Sequence, residues 1–268
     1  IKIWSLTFSN ANQSSTDIIL DAAEDISVDS MSDINTLGFT TNGGNFIARA
    51  KSFEFRNEVY INTAADPGLS EGDQAVGNVR LESVDDLMLP SITSSGDLVV
   101  ESTSGRIYSS ATLQVEGNTE FNAAGEIRLG EGFSLISSTG DVVMNAGLNL
   151  GLYQFFLGQP VISTGGNISL SSTDGFIALT GIYNARDLEI SSLQGSFSGE
   201  QVEINAEGNV GIHLQNGAVD FTGGNMTVNA GSFSVTAREL QLGGVTINTD
   251  TSKGSGDITL IATGSDSE

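Results

Sequence analysis

The sequence predicts an all-β chain wound into a single right-handed parallel β-helix. Two observations carry that expectation. A unit recurs along the chain: Gly, then Asn or Asp, then apolar–x–apolar, often followed by a small residue. Apolar residues rarely recur at i, i+3, i+4 and i+7, so there is almost no helical patterning. Period-two alternation makes each triplet a short strand with one buried face. Gly and Asn tolerate positive φ and mark the corners between strands. Such a repeat, read first, decides the fold.

Taken in order, Ile18-Ile19-Leu20 and Ile26-Ser27-Val28 are strand-like, and Asn42-Gly43-Gly44-Asn45 is a corner. Thr63 to Asp73 has no alternation, contains Pro67-Gly68, and reads as a loop bulging from one coil. The lead unit then appears at Gly96-Asp97-Leu98-Val99-Val100, Gly140-Asp141-Val142-Val143-Met144 and Gly166-Asn167-Ile168-Ser169-Leu170. It returns at Gly208-Asn209, Gly224-Asn225 and Gly256-Asp257, each followed by an alternating triplet. Gly147 to Pro160, with Tyr153, Phe155 and Phe156, is a second irregular segment. Alternating pairs without the lead lie between these units: Ile177/Leu179, Leu188/Ile190, Val202/Ile204, Phe233/Val235, Leu240/Leu242 and Val245/Ile247.

A sandwich or barrel would show longer strands and more varied loops. The glycines at 77, 96, 140, 166 and 208 are instead separated by 19, 44, 26 and 42 residues, which fit one or two coils of 19–26 residues. The later gaps, 16 to Gly224 and 32 to Gly256, do not fit one ladder and read as the lead moving to another side of the coil. About 12 coils with three strands each, at ~4.8 Å per coil, give a rod of roughly 55–60 Å. Residues 1–268 read as one domain, because no composition shift marks a boundary. The expected core includes Val142, Met144, Ile168, Leu170, Ile177, Leu179, Leu188, Ile190, Ile204, Met226, Val228, Ile258 and Leu260. Ser169, Glu189, Glu203 and Thr227 are expected outside.

Composition excludes several functions. Ten Lys and Arg face 33 Asp and Glu, a net charge of -23, so phosphate backbones would repel the chain and no nucleic-acid partner is expected. Without cysteine there is no disulfide, thiolate nucleophile or zinc finger. No apolar run approaches the roughly 18–20 residues of a membrane helix, so no membrane insertion is expected. The chain begins at Ile1 without a signal-peptide pattern, which reads as a mature chain or a fragment.

The stretches TGGNISLSSTDGFIALTG (164–181), QVEINAEGNVGIHL (201–214) and TGGNMTVNAGSFSVTA (222–237) resemble the repeats of filamentous-haemagglutinin-type exoproteins. The resemblance extends over residues 75–262. It implies the β-helical shaft of a secreted, surface-exposed adhesin or fibre. Two-partner-secretion members carry an Asn-Pro-Asn signature near the mature N-terminus. The prolines here, Pro67, Pro90 and Pro160, form none. The resemblance therefore implies a shaft region, or another extracellular protein with the same coil.

Candidate chemistry is sparse. His213, the one histidine, alternates with Ile212 and Leu214 and should face solvent, and no Gly-x-Ser-x-Gly elbow accompanies it. Carboxylates are numerous, and stacking could assemble acids from several coils into a polysaccharide lyase or hydrolase. That is the alternative function, beside a glycan- or cation-binding module; one Trp and few cations argue against the enzyme. Asp17, Asp21, Asp25, Asp29 and Asp33 recur every four residues and read as a solvated acidic face, with loose Ca²⁺ binding at most and no other cofactor. Asn12, Asn167 and Asn225 head N-glycosylation triplets. Thr246, Asn248 and Thr249 make a local patch with no coil-to-coil Thr repeat.

The ends of a solenoid expose unpaired strand edges unless capped. The opening segment puts large apolar groups on both faces, so Ile1, Ile3, Trp4, Leu6 and Phe8 are the candidate subunit interface. The expected function is a structural rod of an extracellular surface fibre, sheath or adhesin, built by end-to-end contacts between copies, with surface glycans as a further candidate partner.

Overall fold

The computed structural model describes residues 2–3, 16–29, 37–56, 59–64, 76–130, 132–152, 160–222 and 224–264. Among these the chain is all β, with no helix, and its strands pair in parallel as a β-solenoid. Each coil has three faces. The first face is an 11-stranded sheet that runs from Ile18–Asp21 through Leu98–Ser102 and Ile168–Ser172 to Ile258–Ala262. The second and third faces form two further ladders. Two long strands, Ile177–Ala185 and Phe197–Ala206, run through both ladders and join them into one 19-stranded sheet.

Alternation decides which side chains point inward. In Ile168–Ser172, residues 168, 170 and 172 are buried, while 169 and 171 are only partly covered. Register then stacks like on like. One inner row of the first face reads Leu81, Val100, Phe121, Met144, Leu170, Ile190, Ile212 and Val235, each one coil above the last. The resulting core is one uninterrupted apolar column, which is how a parallel sheet without covering helices buries its inner face.

Eleven expected core residues are buried, but Ile258 and Leu260 are not: they are 50% and 42% exposed. Their strand pairs with Phe233–Ala237 on one side and has no described partner on the other, so their inward-pointing side chains look out of an open coil. Leu242, 47% exposed, departs from expectation in the same coil region. Of the residues expected outside, Glu203 is exposed. Ser169, Glu189 and Thr227 are half-buried, because neighbours one coil above and below shade them.

Successive corner residues lie 19, 21, 23 and 26 residues apart from Asn78 to Asn167. The first two steps are longer, 28 and 33 residues. Among the described residues the first-face sheet has eleven strands, and ten steps of ~4.8 Å give it a height of about 48 Å. Thr63 is buried at a corner, with its N–H donating to Thr93 O at 2.8 Å, while 65–75 lie outside the described residues. Within 147–160, Leu150–Leu152 is a buried strand stacked between Ile127–Leu129 and Ile177–Leu179, and 153–159 lie outside the described residues. Gly224-Asn225 leads a third-face strand, Met226–Ala230, as its spacing required; Gly256-Asp257 leads the first face again.

Candidate functional site

The Gly-Asn/Asp lead builds a ladder at the corner entering the first face. The backbone N–H of Asn45 donates to Asp17 Oδ1 at 2.7 Å, and that of Asn78 to Asn45 Oδ1 at 3.0 Å. The pattern continues with Asp97 on Asn78 at 2.8 Å, Asn118 on Asp97 at 2.7 Å, Asp141 on Asn118 at 3.0 Å and Asn167 on Asp141 at 2.8 Å. Asn209 repeats it on Asp187 at 2.7 Å. Each side chain thus satisfies a backbone donor that the corner takes out of the sheet ladder. The preceding glycines are needed for space: a Cβ at Gly140 would stand 2.1 Å from Gly117 O. Buried hydroxyls complete the corners, as where Ser137 Oγ donates to Gly117 O at 2.9 Å. These residues are absorbed by the architecture.

Asp17, Asp21, Asp25 and Asp29 do not form one face. Asp17 starts the corner ladder, Asp21 ends a first-face strand, Asp25 accepts from Ser52 Oγ at 2.8 Å, and Asp29 ends a second-face strand. Asp33 lies outside the described residues. Among the described residues no three His, Asp or Glu side chains converge as metal ligands would.

His213 is exposed between buried Ile212 and Leu214. The sequence did not signal its partner. Glu189, one coil below, reaches over Gly211 to place Oε1 3.5 Å from His213 Nε2. A Cβ at Gly211 would stand 2.3 Å from Glu189 Oε2, so only glycine leaves room for this approach. Partial burial pushes the Glu189 carboxyl above its usual range, and the His213 charge opposes that shift. Ser191 is the cross-strand neighbour of His213, but the ring faces Glu189.

Of the proposed interface residues, Ile3 lies in strand Lys2–Ile3, whose backbone pairs in parallel with Ser27–Val28 of this same chain. Ile1, Trp4, Leu6 and Phe8 lie outside the described residues.

A chemically mixed surface lies on the second face. Met88, Tyr108 and Arg128 are direct cross-strand neighbours in three successive coils. They line a groove of about 380 Å³ with Arg106, Glu126, Ser109, Ser110 and Gly130. Arg106 is fixed by Asp86: Nε donates to Oδ1 at 3.3 Å, Nη2 to Oδ2 at 2.7 Å, and the Arg106 backbone N–H to Oδ1 at 3.0 Å. These bonds hold the Asp86 carboxyl below its usual range against the opposing effect of partial burial. Tyr108 is half-buried; burial raises its phenol above the usual value, and the nearby Asp86 and Glu54 charges add to that. No motif marks this groove. Its signal is a spacing of 20 residues between 88, 108 and 128, one coil each, which becomes visible only with the register.

A family model described as repeats of unknown function (DUF5649) matches residues 76–134, the coils that carry this groove. No curated protein and no solved structure matches the chain.

Proposed function

We propose that this chain is a rod segment of an extracellular surface fibre or adhesin, lengthened by stacking further parallel coils on its ends. One observation supports this reading above others. Strand Ile258–Ala262 leaves Ile258 and Leu260 half-exposed and keeps one edge without a described partner, so the ladder can take a further coil there, from more of the same chain or from another copy. Such an edge is a template for another parallel strand, and the apolar side chains reward its arrival at roughly 25 cal/mol per Å² removed from water. In the isolated chain, the occupant is the first coil of a second copy, with Ile1, Ile3, Trp4, Leu6 and Phe8 at the joint. Head-to-tail contact of this kind propagates a filament. The repeat family match agrees with a repetitive coil, and the resemblance of the coils to exoprotein shafts supports the rod.

Negative-stain microscopy and sedimentation of the purified chain test the proposal. Wild type forms rods several times the roughly 48 Å height of one copy. Ile258→Ser with Leu260→Ser, or deletion of 1–8, shortens them to single units. A wild type that stays monomeric at high concentration overturns assembly through the ends.

A further inference from the structure

We propose that the Tyr108 groove is a binding site for one or two neutral sugar residues of a surface glycan. The inference goes beyond the rod reading and does not depend on it. It starts from how unusual this surface is on the molecule. The outer positions of the neighbouring coils on this face are Glu54 on one side and Gly151, Ala178 and Ser198 on the other, whereas here a thioether, a phenol and a guanidinium stand one above another on adjacent strands. A pyranose has one face of C–H groups and a rim of hydroxyls. The C–H face matches the Tyr108 ring, whose π face carries partial negative charge, and the polarisable Met88 beside it. The hydroxyl rim matches the planar fork of Arg128, the Glu126 carboxylate and the Ser110 hydroxyl.

Charge selects the class of sugar. Around the ring, Arg106 and Arg128 stand against Asp86, Glu54 and Glu126, and Arg106 is already engaged by Asp86 on two nitrogens. The site thus carries a small excess of negative charge, in line with the whole chain at -23. An acidic sugar gains no unmatched cation here and meets the repulsive field of the rod. A neutral ring meets no such opposition. Size agrees: about 380 Å³ lies at the small end of ligand sites, enough for one or two rings. The lining side chains stand on or beside strands rather than on long loops, so little ordering accompanies binding. One weak site per copy becomes useful on a fibre, where many copies engage a glycan surface together.

Saturation-transfer NMR tests the site with the methyl glycosides of glucose, galactose, mannose and N-acetylglucosamine, each at millimolar concentration, and glucuronate as the acidic counterpart. At least one neutral glycoside should receive saturation on its ring C–H protons. Tyr108→Ser and Arg128→Met should each weaken it by about tenfold or more, while Gln114→Ala, on the third face, should not. Far-ultraviolet circular dichroism checks that each variant keeps the wild-type β spectrum. If Tyr108→Ser alters it, the pair Tyr108→Phe, which keeps the ring and should bind, and Glu126→Gln, which should not, replaces it. The proposal is overturned by no transfer to any of the four, by equal transfer to a correctly folded Tyr108→Ser, or by preference for glucuronate. The readout is the same for single rods and filaments, so failure of assembly and failure of sugar binding are separate results.

Discussion

At the scale of single residues, the described core contains one misfit. Thr119 is fully buried in an inner row between Leu98 and Val142, and its Oγ1 makes no hydrogen bond. A buried, unpartnered hydroxyl costs about 1–3 kcal/mol relative to a satisfied one, and valine has nearly the same shape without it. Thr119→Val should therefore stabilise the rod by about 1 kcal/mol, seen as a higher midpoint in urea with unchanged slope. A lower midpoint would mean that the hydroxyl has a partner, such as a buried water. Tyr183 shows the opposite arrangement. It is equally buried, but its hydroxyl donates to Thr180 O at 2.9 Å, and burial raises its phenol far above the usual range. Gly181 makes the strand bend that precedes it: φ is +98°, and a Cβ there would stand 2.1 Å from Pro160 O. The glycine lead was legible in the sequence as a corner, but this glycine, inside a nine-residue strand, was not.

At the scale of the element, the corner ladder couples sequence to charge. From Asn78 to Asn167 the hydrogen-bonded residues alternate, Asn78, Asp97, Asn118, Asp141, Asn167, and Asp187, next in register, and Asn209 repeat the pair. Asp and Asn accept the next backbone N–H equally well, yet two carboxylates one coil apart would repel by about 1 kcal/mol even in water-like surroundings. Alternation keeps the hydrogen bonds and separates the charges. Asn118→Asp would insert a carboxylate directly between those of Asp97 and Asp141. It should lower stability by about 1–2 kcal/mol at low salt, with much of the loss recovered at about 1 M salt. A loss insensitive to salt would point to the amide's own bond to Asp97 instead. Strand positions and inner faces were readable because period-two alternation and glycine corners are local signals. The Tyr108 groove and the Glu189–His213 contact were not, because they join residues about one coil apart, and varying coil lengths hide which residues stack. The exposed Ile258 and Leu260 were missed for a related reason: alternation says which way a side chain points, not how far its neighbours cover it.

At the scale of the whole molecule, charge dominates. A net charge of -23 on a rod about 48 Å high keeps the chain soluble but makes the compact state repel itself. The few cations are concentrated where they matter. On the first face Arg49 Nε pairs with Glu82 Oε2 at 2.7 Å, Arg80 pairs with the other Glu82 oxygen, and Arg80 Nη2 lies 3.7 Å from Glu101. Partial burial would raise the Glu82 carboxyl, but hydrogen bonds and charges from Arg80 and Arg49 prevail and hold it below its usual range. The Arg106 pair holds Asp86 low in the same direction. A carboxyl depressed in the fold contributes stability above its unfolded pKa, and that contribution is lost as pH falls through its folded pKa. Glu189 has the opposite sign: its carboxyl is raised, so burying its charge is a penalty at neutral pH that acid relieves. General protonation also reduces self-repulsion. The melting temperature should therefore rise modestly from pH 7 to about 5, pass a maximum, and fall below about pH 4 as Glu82 and Asp86 are protonated. Glu82→Gln should flatten the acid limb and leave the rise toward pH 5 in place, while added salt should raise the melting temperature at pH 7. A melting temperature that climbs steadily down to about pH 3 would show that self-repulsion alone governs acid stability and that the arginine pairs contribute nothing measurable, as many surface ion pairs do.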